Sequence, residues 1–233
     1  MLVAGFPAGP LAANCYLLAA DEGEACVIVD PGQDAEELLE QALRQYRLTP
    51  VAVLLTHGHF DHIFSVTPVC DGHDIPAWIH AGDRALLSDP ARGFGQEATE
   101  FFGGRLELRE PNEVRELADG QQLEIAGLTF TVDHTPGHTG GSVCFRTGAE
   151  EGGRLMLSGD TLFAGSIGRT DLPGGDSAQI MESLRAKVLP LPDDTVVLPG
   201  HGSPTTIGRE RAGNPFLMGL SGGDAPAFPT RGL

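Results

Sequence analysis

Lysine is almost missing from this chain: of 15 basic residues, 14 are arginine and one is Lys187. No physical requirement explains that bias, which fits a GC-rich coding sequence. Basic charge is scarce altogether, because 32 acidic residues leave a formal net charge of −17 over 233 residues. Phosphate contacts need clustered cations, so a basic nucleic-acid-binding surface is excluded. Cysteine is equally sparse. Cys15, Cys26, Cys70 and Cys144 form no Cys-x-x-Cys pair, and four in a chain of this length cannot make a disulfide scaffold. They are expected to be reduced core thiols of a cytoplasmic protein. No apolar run approaches the ~20 residues of a membrane span. The first sixteen residues contain Pro7 and Pro10 and lack a cationic stretch, so they do not read as a secretory signal. A cytoplasmic protein with neither membrane nor nucleic acid as partner is the expectation.

Hydrophobic residues make up 41% of the chain, enough for a real core. At roughly 100–200 residues per domain, and without a repeat or a low-complexity linker, residues 1–233 are expected to form a single domain. The 32 glycines and 17 prolines announce many turns. Segments 14–19 and 25–29 flank a turn and predict a hairpin. Leu38, Leu39, Ala42, Leu43 and Tyr46 repeat at helical spacing and predict a helix over 34–46. Val51 to Leu55 is apolar throughout, as in a strand buried on both faces. A helix should follow as far as Val69, then a strand at 77–80 and a short helix at 83–87. Residues 88–120 are broken by glycine and read as a long excursion, partly helical near Phe101 and Phe102. Strands are expected at 121–125, 128–134, 142–146, 154–158 and 195–198, and a helix at 177–188. Strands and helices are thus interspersed and the clearest strands are wholly apolar, which predicts an α/β architecture with helices covering the outer faces of sheets.

Four short segments place metal-binding side chains where strands run out into loops. They are Thr56-His57-Gly58-His59-Phe60-Asp61-His62, Thr135-Pro136-Gly137-His138, Ser158-Gly159-Asp160-Thr161 and Leu198-Pro199-Gly200-His201-Gly202. Glycine stands immediately before His138, Asp160 and His201, and glycine permits the backbone angles that turn a side chain sharply away from a strand end. Imidazole and carboxylate without thiolate suit a catalytic rather than a closed structural zinc site. Five histidines and two aspartates exceed what one tetrahedral ion needs, but suit two divalent ions sharing a carboxylate, most readily zinc, with iron or manganese also accommodated. His134 reads as structural, and His73 and His80 read as non-ligands.

The ordered set His57-x-His59-x-Asp61-His62, His138, Asp160 and His201 resembles the metallo-β-lactamase-fold hydrolases. Asp30-Pro31-Gly32 extends the likeness upstream. Gly159-Asp160-Thr161-Leu162-Phe163 and the stretch from Gly165 to Gly175 are similar to the glyoxalase II branch, the hydroxyacylglutathione hydrolases, in its short bacterial form. The resemblance implies an αβ/βα four-layer sandwich with metals at one edge. It implies that His57, His59 and His138 hold one ion, that Asp61, His62 and His201 hold the other, and that Asp160 bridges them. Asp30 would orient a ligand, and Arg169 would bind the thiol portion of a substrate. Asp171 stands where that branch has an aromatic residue. The helical domain that completes a glutathione site is expected to be absent, since 32 residues follow His201.

The implied activity is hydrolysis of a small acyl thioester, such as S-lactoylglutathione or an equivalent thiol conjugate, by a metal-bridging hydroxide. Asp61 and Asp160 are then the carboxylates at the reacting centre. The alternative is an iron-dependent persulfide dioxygenase of the same fold, using His57, His138 and Asp160. A nuclease of this fold is disfavoured by the negative charge, and a non-catalytic scaffold by the completeness of the ligand set.

Overall fold

The computed structural model describes residues 1–95, 108–148 and 153–221. Two six-stranded sheets follow the chain in nearly linear order. The first contains β1 (Leu2–Ala8), β2 (Ala13–Ala19), β3 (Ala25–Val29), β4 (Thr49–Leu54), β5 (Ala77–His80) and β6 (Val114–Leu117), side by side in that order. The second contains β7 (Gln122–Ile125), β8 (Leu128–His134), β9 (Val143–Gly148), β10 (Arg154–Gly159), β11 (Val196–Pro199) and β12 (Thr205–Thr206), likewise in order. β3 to β6 run parallel, while β9 is antiparallel to both β8 and β10, so β8, β10 and β11 share one direction.

Inner strands such as β2 and β3 are buried on both faces because each face meets a different layer. In β2, Cys15, Leu17 and Ala19 face the helices outside the first sheet, whereas Tyr16 and Leu18 face the other sheet. In β9 and β10, Phe145 and Leu157 point between the sheets, and Cys144 and Met156 point to the helices outside the second. Period-two alternation thus distributes one run of hydrophobic residues over two cores. Helices α1 (Glu36–Tyr46) and α3 (Val66–His73) cover the first sheet. Helix α5 (Ser177–Ser183), its π-helical continuation through Val188, and helices α6 (Ile207–Gly213) and α7 (Pro215–Ser221) cover the second. The result is the four-layer αβ/βα sandwich.

Local chemistry sets the helix ends. In α1, Leu39 and Leu43 are one turn apart and buried, each worth about 1.5–3 kcal/mol against exposure. That helix begins at Glu36 rather than at Asp34, because Asp34 adopts a left-handed φ of 56°. Asp176 caps α5 by accepting from the backbone N–H groups of Ala178 and Gln179. All four thiols are buried, and burial pushes Cys26 and Cys70 up to about 12 and Cys144 up to about 11. Among the described residues no helix is long and apolar enough to cross a membrane.

Several elements differ from the sequence reading. The helix expected through Val69 is two helices, α2 (Phe60–Ile63) and α3, parted at Phe64 and Ser65. The excursion at 88–120 contains α4 (Ala91–Phe94) and β6, which closes the edge of the first sheet. Phe101 and Phe102, where partial helix was expected, lie outside the described residues. β1, β12, α6 and α7 were not anticipated.

The two sheets are fastened together at the edge where β4, β8, β10 and β11 end. Val143 N–H donates to the Thr56 carbonyl, and Asn14 N–H to the Gly200 carbonyl. The Tyr16 hydroxyl and the Asn14 amide both donate to the Pro199 carbonyl, at 2.8 and 2.9 Å. Every metal-binding segment named above leaves the sandwich at this edge.

Candidate metal centre

The loop after β4 carries His57 and His59 and runs into α2, which presents Asp61 and His62. The loops after β8, β10 and β11 carry His138, Asp160 and His201. The structure brings all seven together. His57, His59 and His138 form one trio, and Asp61, His62 and His201 form another; in each, the ligand atoms lie within 4.8 Å of one another. Asp160 stands between them. Its Oδ2 is 3.5 Å from His138 Nε2 of the first trio and 3.6 Å from His201 Nε2 of the second, and its Oδ1 is 3.5 Å from His62 Nε2. One carboxylate therefore faces both trios, as a bridge would.

In a third grouping, Asp30 with His57 and His62, the ligand atoms likewise lie within 4.8 Å of one another. The Asp30 carboxylate is already engaged: Thr56 N–H and the Thr56 hydroxyl donate to it at 2.8 and 2.5 Å, and His62 Nδ1 lies 3.2 Å away. Asp30 is thus placed to orient its neighbours through hydrogen bonds. Its contact with His62 Nδ1 leaves Nε2 facing the second trio, and the Thr56 hydroxyl, 3.0 Å from His57 Nδ1, does the same for the first. His138 Nδ1 faces the Arg169 carbonyl at 2.8 Å, and His201 Nδ1 the Leu11 carbonyl at 3.1 Å. Four imidazoles are thereby held with Nε2 directed inward.

The glycines before the ligands serve two different needs. Gly137 and Gly159 have φ of 135° and 47°, which only glycine adopts freely. Gly200 is required for space, since a Cβ there would stand 2.2 Å from Asp160 Oδ1.

The donor set fits metal. Among the described residues, His57 Nε2 and Asp160 Oδ1 are buried without a hydrogen-bond partner, a cost of about 1–3 kcal/mol each unless another group satisfies them. Burial, reinforced by neighbouring imidazoles, holds His57 and His59 well below the usual histidine range, so their lone pairs are free. Burial acts in the same direction on His62, but Asp61, Asp160 and Asp30 outweigh it and raise that ring to about 10. His201 is raised for a similar reason: burial opposes its charge, and Asp61 and Asp160 prevail. Asp61, which burial alone would raise, is held below the usual carboxylate range by His62 and His201. Asp61 and Asp160 thus favour positive charge at the second trio, the place that a divalent cation takes in exchange for protons.

The sequence matches the metallo-β-lactamase superfamily over residues 8–201. The chain belongs to that superfamily. A Mycobacterium leprae protein is 52% identical over 221 residues, spanning 94% of this chain and 100% of that one. The hydroxyacylglutathione hydrolase GloC of Haemophilus influenzae is 38% identical over 212 residues, spanning 89% and 94%. Among solved structures, the B3 metallo-β-lactamase BLEG-1 superposes with a TM-score of 0.81 at 42% identity, over 94% of this chain and 100% of that one. TTHA1623 in a di-iron-bound form superposes with a TM-score of 0.75 at 40% identity, over 92% and 100%. ETHE1 from Myxococcus xanthus shares the fold, with a TM-score of 0.73 at 23% identity over 97% and 93%. Members of the metallo-β-lactamase superfamily are typically metal-dependent hydrolases, and the His/Asp cluster assembled here has the donors to bind metal.

Beyond the seven, the Arg169 side chain is 42% exposed, with its guanidinium on Asp171 at 2.7 and 2.9 Å. The Asp171 carboxylate is spent on Arg169, so the guanidinium expected to bind the thiol portion of a substrate is already paired. His73 pairs with Glu40, and His80 stacks on His134 at 4.0 Å, so none of the three joins the cluster. Sequence reasoning missed Asp83, whose buried carboxylate bonds both histidine loops, and Phe94, whose ring packs on His59 at 4.9 Å. Neither carries a local signal, because each acts only through residues far away along the chain.

Proposed function

We propose that this protein is a binuclear metal-dependent hydrolase of small acyl thioesters, of the S-lactoylglutathione type or an equivalent thiol conjugate. The observation that carries the reading is the pair of complete trios facing one carboxylate, Asp160. His57, His59 and His138 would hold one ion, Asp61, His62 and His201 the other, and Asp160 both. Zinc suits these donors, and the di-iron form of a 40% identical neighbour keeps iron in view. When bound, such ions supply a water-derived nucleophile at neutral pH and polarise the substrate carbonyl.

The chain's own residues do the rest. Asp30, Thr56 and the carbonyls of Arg169 and Leu11 fix ring orientation, so the donor geometry exists before a substrate arrives. A thioester suits a centre in which no dedicated proton donor stands among the described residues, because a thiol of pKa about 8.5 can leave as the thiolate. The surroundings suit an uncharged acyl group. Phe94 packs against His59, the Phe163 ring centre lies 6.1 Å from that of His201, and Leu11 beside it is 43% exposed. With Arg169 tied to Asp171, recognition of a charged thiol tail is expected to be weak. GloC, a hydroxyacylglutathione hydrolase by name, supports the thioester reading.

The test is a panel assay of the metal-loaded protein. S-lactoylglutathione and the same acyl group on a short thiol are predicted to be hydrolysed at rates within about tenfold of each other, a difference of ~1.4 kcal/mol. A thousandfold preference for glutathione would reveal a tail site that this geometry does not explain. Oxygen uptake with a persulfide, or turnover of a β-lactam, in the absence of thioester cleavage would replace the reading.

A further inference from the structure

Outside the ligand set, one carboxylate is tied to both loops of the first trio. Asp83 lies between β5 and the 3-10 turn Arg84–Leu87 and is 1% exposed. Its Oδ2 accepts from Gly58 N–H at 2.8 Å, and Gly58 sits between His57 and His59. The same oxygen accepts from the Thr139 hydroxyl at 2.6 Å, and its Oδ1 from Gly141 N–H at 2.7 Å. Thr139 directly follows His138. The fit is close, since a Cβ on Gly141 would stand 2.6 Å from Asp83 Oδ1.

We propose that Asp83 is a positioning residue for the first metal subsite, clamping the His57–His59 loop to the His138 loop so that three imidazoles converge on one ion. The two loops leave different sheets, and nothing in their local sequence fixes their separation. A buried carboxylate accepting three hydrogen bonds does so, because an ionised acceptor makes stronger and more directional bonds than a neutral one. The clamp does not reach His201, and His62 is oriented separately by Asp30. The effect is therefore selective for one of two ions. The proposal rests on the assignment of the two trios as metal sites.

The experiment measures zinc affinity by competition with a chromophoric chelator, independently of turnover. In Asp83→Asn, one of two zinc ions is expected to bind roughly 10–100-fold more weakly, as for loss of a group that orients a ligand, and the other as in the wild type. Placed on His201→Ala, which spares the first subsite, Asp83→Asn should show its full effect. Placed on His138→Ala, which removes that subsite, it should show none. Wild-type affinity for both ions, or equal weakening in the two backgrounds, overturns the proposal. Retention of both ions by His138→Ala alone would sink the ligand assignment and the proposal with it. If Asp83→Asn does not fold, as judged by circular dichroism, Thr139→Val removes a single bond of the clamp and decides: a smaller loss confined to the first subsite supports it, and no selective loss overturns it.

Discussion

Asp160 has two oxygens and neighbours in both trios, whereas each histidine serves one. On the proposed assignment, removing it deletes a ligand from two sites and leaves the repulsion between two cations unscreened. Asp160→Ala is therefore predicted to retain less metal and less turnover than His201→Ala, measured by elemental analysis and thioester hydrolysis on the same preparations. Equal, mild losses would show that Asp160 does not bridge. Arg169 presents the opposite case. It is 42% exposed and neutralised by Asp171, so its side chain can add little, at most about 1 kcal/mol. Arg169→Ala should raise KM no more than about fivefold with kcat unchanged, because its contact with substrate would be alike in ground and transition states. A large fall in kcat would place this side chain at the reacting centre. At this scale the ligand cluster was legible, since four of its members fall within six residues and the others follow glycine. Asp83 was not legible, because its partners lie 25, 56 and 58 residues away and an isolated Asp before a short helix resembles any other.

Elements succeed or fail here by how they are packed. Gly200 ends β11 under Asp160 and has no room for a methyl group. Gly200→Ala should therefore cost metal binding as severely as loss of a ligand, while Gly72→Ala, in α3 with open space, should stabilise the fold by about 0.5–1 kcal/mol. Chemical denaturation and metal content of the two variants check this; a Gly200→Ala protein holding two ions would contradict the packing argument. The strands at 25–29 and 51–55 could be read from the sequence because they are largely buried on both faces and their residues are apolar without interruption. β1 escaped notice because it is a sheet edge that contains Gly5 and Pro7 and exposes every second residue. β6 escaped because Arg115 and Glu116 are exposed and its place is decided by pairing with β5, not by its own hydrophobicity. The break between α2 and α3 is likewise tertiary, with Ser65 N–H donating to the Pro31 carbonyl.

On the scale of the whole molecule, the sandwich is two sheets fastened at the edge that carries the metal centre, within a chain of net charge −17. His80 and His134 stack beside that edge, one from each sheet. Burial, and then His134, lower the His80 pKa from 6.5, against the smaller opposing pull of Asp83, Asp119 and Glu116. Folding thus favours the neutral ring. Its contribution is complete above 6.5 and is lost as pH falls below, where the unfolded chain takes up the proton first. The melting temperature of the wild type should fall more steeply than that of His80→Gln between pH of about 7.5 and 5.5. Parallel curves would show that the stack carries no linkage.

Two ions in two trios joined by one carboxylate, as proposed, are tested most directly by metal stoichiometry read together with activity. Purified protein is titrated with zinc after chelation, and thioester hydrolysis is followed at each step. Activity is predicted to rise to its maximum only as the second equivalent per chain is bound. Full activity at a single equivalent, with no second ion bound at saturation, would contradict that assignment.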